Sequence, residues 1–123
     1  MSPSKISAVL SVGVVLALFA GSTGAWADNY GAIAFEQDSG RAGYAYDYAS
    51  RAEAEQRAVE ECGSGCAVVV WFMNACGALA TGDDNGYGSA WAGSRPEAER
   101  LALSECGEHA ENCSVVQWAC TSR

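Results

Sequence analysis

One histidine, fifteen carboxylates, six cysteines and twelve aromatic side chains (three Phe, four Trp, five Tyr) carry whatever chemistry this chain performs. His109 acts as a general base only beside a nucleophile and an orienting acid. It stands instead in a polar stretch, Glu108-His109-Ala110-Glu111, and no serine occupies a Gly-x-Ser-x-Gly elbow. The expectation is a surface loop residue and no catalytic group. Asp83-Asp84-Asn85-Gly86 concentrates carboxylates, but it lacks the alternating Asp-x-Asp-x-Asp-Gly spacing and distant Glu of a calcium loop. A polar hairpin turn accounts for it, the Asn-Gly pair suiting type I′ geometry. No metal and no cofactor are expected. Carboxylate pairs of the sort used in glycoside hydrolysis occur on any chain this acidic, and most of these fall on helix faces that need water-facing charge.

The aromatic residues are more informative. Gly43-Tyr44-Ala45-Tyr46-Asp47-Tyr48 alternates strictly, which puts Tyr44, Tyr46 and Tyr48 on one face of a strand. Trp91 occupies the place of Tyr46 in a second, similar stretch. If that face is open it is a platform for a peptide, a glycan or a partner protein. If it is closed, the rings fill the core beneath alanine-rich helices. Arg51 and Arg95 each follow a helix cap. They are either solvent charges or a matched pair addressing an acidic group. The candidate binding residues are therefore Tyr44, Tyr46, Tyr48, Trp91, Arg51 and Arg95. Trp71 and Trp118, inside apolar runs, are expected in the core.

The elements that must hold these residues are written twice. Ser50-Arg51-Ala52-Glu53 and Ser94-Arg95-Pro96-Glu97 each open a helix with a capping box, and Pro96 is tolerated in the first turn. Ala54, Ala58 and Cys62, then Ala98, Ala102 and Cys106, form narrow apolar stripes at helical spacing. Each helix closes on Cys-Gly and leads to Cys-x-Val-Val-x-Trp, Cys66 to Trp71 and Cys113 to Trp118. The continuous apolar run from Cys66 to Phe72 predicts a fully buried central strand. Tyr30 to Phe35 and Gly77 to Ala80 predict the opening strand of each unit. The fold expected is α+β: two strand–strand–helix–strand repeats, about 30–76 and 77–120. They would form one antiparallel or mixed sheet of about six strands, with both helices on one face.

Six cysteines behind an export signal point to disulfides. No Cys-x-x-Cys occurs. A pairing that respects the repeat joins Cys62–Cys66 and Cys106–Cys113 within units and Cys76–Cys120 between them. The export signal is residues 1–27: Lys5, an apolar stretch from Ile6 to Ala20, and Ala25-Trp26-Ala27 before a cut ahead of Asp28. That stretch falls short of the roughly 20 residues of a bilayer span. Residues 28–123 form a single-domain length, with six basic against fifteen acidic residues and a formal charge of −9. Such a surface repels nucleic acid and anionic lipid. Secretion or a periplasmic location follows, without stable membrane insertion.

Tyr30-Gly31-Ala32-Ile33-Ala34, Ser50-Arg51-Ala52, the Cys62 to Trp71 segment and Asn74-Ala75-Cys76-Gly77-Ala78-Leu79-Ala80 together resemble the bacterial domain-of-unknown-function family numbered 4189. The resemblance covers essentially the whole of residues 28–123. It implies a small secreted or envelope protein and carries over no catalytic residue. Two function classes remain. One is a non-catalytic binding module of unknown protein or glycan partner, or an inhibitor of another exported protein. The other is a small secreted hydrolase with an unrecognised active site. A purely structural envelope protein is a third.

Overall fold

The computed structural model describes residues 28–123, and the expected leader at 1–27 lies outside them. Along the chain run β1 (Tyr30–Glu36), β2 (Arg41–Tyr48), α1 (Arg51–Cys62) and β3 (Ala67–Met73). They are followed by β4 (Cys76–Thr81), a 3-10 turn (Asp83–Asn85), β5 (Tyr87–Ala92), α2 (Arg95–Cys106) and β6 (Ser114–Cys120).

Both helices start at a serine cap. The Ser50 hydroxyl accepts from the Glu53 N–H at 3.1 Å, and the Ser94 hydroxyl from the Glu97 N–H at 3.4 Å. Glu53 closes its box on the Ser50 hydroxyl, 3.0 Å away, rather than on the serine N–H. The buried stripes are Ala54, Ala58, Cys62 and Ala98, Ala102, Cys106. Small side chains let each helix lie close to its sheet. A Cβ on Gly43 would run into the α1 backbone at Cys62, and one on Gly88 into the α2 backbone at Cys106.

The strands form two sheets, not the single sheet expected. Each has three antiparallel strands, in the orders β2-β1-β3 and β5-β4-β6. Nor do the helices share a face. On β1, Ala32 and Ala34 pack against α1, while Ile33 and Phe35 point the other way, into a cluster with Leu79, Phe72 and Ala119. On β4, Ala78 and Ala80 pack against α2. The layers are therefore helix, sheet, sheet, helix. Strands buried on both faces need a layer on each side, and the period-two split of β1 and β4 supplies one helix face and one sheet face apiece. Within the sandwich β2 lies against β6 and β3 against β5.

The central strands are β1 and β4, where Ala32, Ile33, Ala34, Ala78, Leu79 and Ala80 are wholly buried. The apolar run after Cys66 is consequently an edge strand, β3, in which only Phe72 is fully buried. The Phe72 ring lies so close to Gly31 and Gly77 that neither position has room for a Cβ. Bridges Cys62–Cys66 and Cys106–Cys113 tie the end of each helix to the loop before the next strand, and Cys76–Cys120 joins directly paired residues of β4 and β6. The turn between β1 and β2 is held by Arg41, which pairs with Glu36 at 2.6 Å and donates to the Ser64 carbonyl at 2.5 Å. Hydrogen bonding from Ser39, then Arg41, holds the Glu36 carboxyl below the ordinary carboxylate value.

Candidate functional site: an aromatic sheet edge

The three tyrosines of β2 do not share a face. A bulge in the β1–β2 ladder, between the Tyr30↔Tyr48 and Ala32↔Ala45 pairs, inserts one extra residue. Asp47 takes a left-handed conformation there (φ 64°), and the alternation restarts out of phase. Tyr48 turns toward α1 and packs with Tyr30 against Ala54 and its neighbours. Tyr44 and Tyr46 remain together on the side facing β6. They are 43% and 47% exposed, with ring planes 2° from parallel and centroids 6.2 Å apart. Beside them runs a groove of about 410 Å³, completed by Gln117, Trp118, Ala119 and Cys120 of β6. On their other flank, Ala45, Tyr48, Arg57 and Glu61 line a shallower depression.

Trp91 does not join this platform. It is 59% exposed, but it lies on β5 at the opposite edge of the sandwich. There it lines a small hollow with Trp71, Phe72 and Met73. Arg51 and Arg95 are not free solvent charges; each addresses an acidic group on its own helix, and they share none. Arg51 lies over the Trp71 ring, 4.3 Å from its centroid, and pairs with Glu55 at 2.9 Å. Arg95 lies over Trp118 at 3.7 Å and pairs with Glu99 at 2.8 Å. Each stack clips the first turn of a helix to the far end of the strand that follows it. Trp71 and Trp118 are thus on the outer faces of edge strands, 37% and 38% exposed, and not in the core. The matched Arg after each cap and the Trp closing each later strand were visible signals for these pairs. Gln117, which the sequence reading passed over, sits in a strand run with no feature of its own.

His109 lines a polar cleft of about 390 Å³ with Gln37, Val69, Gly86, Tyr87, Ser89 and Glu105. The grouping of Ser89, His109 and Glu105 invites comparison with a hydrolytic triad, but the hydrogen bonds run elsewhere. The Ser89 hydroxyl donates to the Val69 carbonyl at 2.9 Å, and Glu105 accepts from the Ser89 backbone N–H at 2.6 Å. Asp83 of the acidic turn accepts from the Asn112 side chain at 2.9 Å. Among the described residues no group of three or more His, Cys, Asp or Glu side chains is arranged to hold a metal ion.

Sheet pair, outer helices and three bridges define a small disulfide-braced α+β domain. The chain belongs to the family described as domain of unknown function DUF4189, whose family model matches residues 30–120. It is similar to the uncharacterized protein Rv1813c of Mycobacterium tuberculosis, 36% identical over 92 residues, 75% of this chain and 60% of that protein. It is also similar to protein Rv1269c of the same organism, 39% identical over 95 residues, covering 76% of this chain and 71% of that one. The match thus spans about 60% of the length of the first relative. The NMR structure of Rv1813c from Mycobacterium tuberculosis superposes with a TM-score of 0.59 at 32% identity, covering 89% of this chain and 90% of that chain. Three disulfides suit an oxidising compartment, extracellular or periplasmic. No helix among the described residues is long and apolar enough to cross a membrane.

Proposed function

We propose that this protein is a non-catalytic binding module that docks another exported protein, as inhibitor or interaction partner, through the groove beside Tyr44 and Tyr46. The observation that carries this is the exposed parallel tyrosine pair on a sheet edge. Tyrosine offers large amphipathic contact area with few rotamers to immobilise, and here it is presented beside a β6 strand bridged to β4 through Cys120. A rigid platform lowers the ordering cost of association. Export fits this role: residues 1–27 act as a signal peptide cut after Ala27, releasing an acidic domain that stays soluble. The two halves, about 30–76 and 77–120, we take as copies of one strand–strand–helix–strand unit. In the first copy the edge came to bear two tyrosines.

The test is capture of exported proteins from the protein's own source on the immobilised, oxidised chain. A stoichiometric partner is expected on the wild type, lost on Tyr44→Ala and Tyr46→Ala and retained on Trp91→Ala. A partner that both tyrosine variants retain removes the groove from the proposal. The second reading, a small hydrolase, would place turnover in the cleft holding Ser89, Glu105 and His109. On that reading His109→Ala abolishes turnover of a substrate while leaving partner capture intact.

A further inference from the structure

We infer that the Tyr44–Tyr46 pair reads an arginine side chain, so that the partner docks a basic polypeptide segment there. This rests on the groove being the docking face.

The molecule already uses this chemistry twice. Arg51 over Trp71 and Arg95 over Trp118 are guanidinium planes on half-exposed aromatic rings, each with a carboxylate, Glu55 or Glu99, in ion-pair reach. Two of these ingredients recur around β2, a pair of exposed rings in place of one and a carboxylate nearby, and the guanidinium is what the partner would supply. The ring planes of Tyr44 and Tyr46 differ by only 2°, so a planar cation stacked on one ring lies parallel to the other as well. Guanidinium is planar, weakly hydrated and fixed in charge, and it stacks on aromatic faces better than an ammonium does.

Carboxylates flank the rings. Glu61 lines the depression on the far flank of Tyr44 and Tyr46 together with Arg57. Arg57 is shared between Glu61 at 2.7 Å and Glu60 at 3.6 Å, the latter lining the neighbouring hollow at Tyr48. Asp47 follows Tyr46, and its oxygens accept from the Ser122 N–H and hydroxyl. Both of those donors are neutral groups. In the groove, Gln117 donates its amide N–H to the Trp118 carbonyl at 2.9 Å, so its side-chain oxygen is left as an acceptor for a guanidinium N–H. Across residues 28–123 acids outnumber bases fifteen to six, which steers a basic chain toward the surface. Arg57 is the one cation lining the depression, and its ion pairs with Glu61 and Glu60 offset its repulsion.

The experiment titrates the purified, oxidised protein with octa-arginine and octa-lysine peptides by calorimetry at near-physiological salt. Octa-arginine is expected to bind about tenfold more tightly, the scale of a partly desolvated cation–π contact. The double variant Tyr44→Ala/Tyr46→Ala should erase that difference and leave octa-lysine binding as it was. Tyr44→Phe/Tyr46→Phe, which keeps both rings, should preserve the difference. Intact mass showing three bridges, together with a cooperative thermal unfolding transition, confirms that each variant is folded for the comparison. Equal binding of the two peptides, or a difference that survives loss of both rings, overturns the inference and leaves simple charge attraction. Tyrosine-dependent binding of the neutral sugar tetra-N-acetylchitotetraose without discrimination between the peptides overturns it in favour of a glycan site. A captured partner that needs the tyrosines but is not displaced by octa-arginine sinks the arginine reading alone. Capture independent of the tyrosines sinks the groove itself.

Discussion

The first half of the chain (β1, β2, α1, β3) and the second (β4, β5, α2, β6) agree wherever a helix is fastened to its sheet. Each has a serine cap, an arginine clipped to a tryptophan, two buried helical alanines and a short bridge at the helix end. They disagree where the two sheets meet. Opposite Gly31 of β1 stands Phe72; opposite Gly77 of β4 stands Ala119. Both glycines lie against the single Phe72 ring, so one side chain fills the space at both and no second ring fits. The sheet edges differ as well: Tyr44 and Tyr46 on β2, Ser89 and Trp91 on β5. Helix attachment is a local problem solved the same way in each half. The contact between sheets is shared by both halves, and it forces them to differ.

The sharpest way to break this comparison is at Phe72. Phe72→Ala should cost about 3–5 kcal/mol in denaturant unfolding, because the ring serves both sheets. Ala119→Phe should overpack the same space at a cost of about 1–3 kcal/mol. The double swap should recover part of the loss if the two positions share one volume. Simple additivity of the two single effects would show that they do not.

Next come the bridges. Replacing Cys76 and Cys120 together by Ala should lower stability by about 4 kcal/mol, against about 2 kcal/mol for either short bridge, since the longer loop gains more freedom when unfolded. Equal midpoints for the three double variants would remove loop length as the explanation. The smallest effect is at the caps. Ser50→Ala and Ser94→Ala should each cost about 1 kcal/mol. Ser50 should matter more, because the Glu53 carboxylate also holds its hydroxyl, while Glu97 is drawn to Arg100. A larger loss at Ser94, measured by thermal unfolding, would reverse that ranking.

Much of this was legible in residue order. The capping boxes, the alanine stripes and the bridge pairing that respects the repeat all involve short-range spacing or matched positions. The three bridges of the structure are the ones that pairing selects. The aromatic edge was half legible. Alternation found Tyr44 and Tyr46 on one face, but the bulge at Asp47 that removes Tyr48 depends on the ladder with β1 and has no signal in β2 alone. Trp71 and Trp118 were misplaced because an apolar run reads as core. Here the run belongs to edge strands, and α1 and α2 lie chiefly over the other two strands of each sheet.

By itself, then, the sequence determined where helices begin and end and which side chains share a helix face, and it narrowed the cysteine pairing. These depend on bonds between near neighbours or on the matched halves. Only the tertiary structure decided that six strands divide into two sheets, that the alanine-rich strands are central and the valine-rich ones marginal, and which aromatics stay open. Backbone hydrogen bonds are the same for every residue type, so a strand's neighbours are chosen by how whole layers pack. The exposure of its side chains follows from that choice.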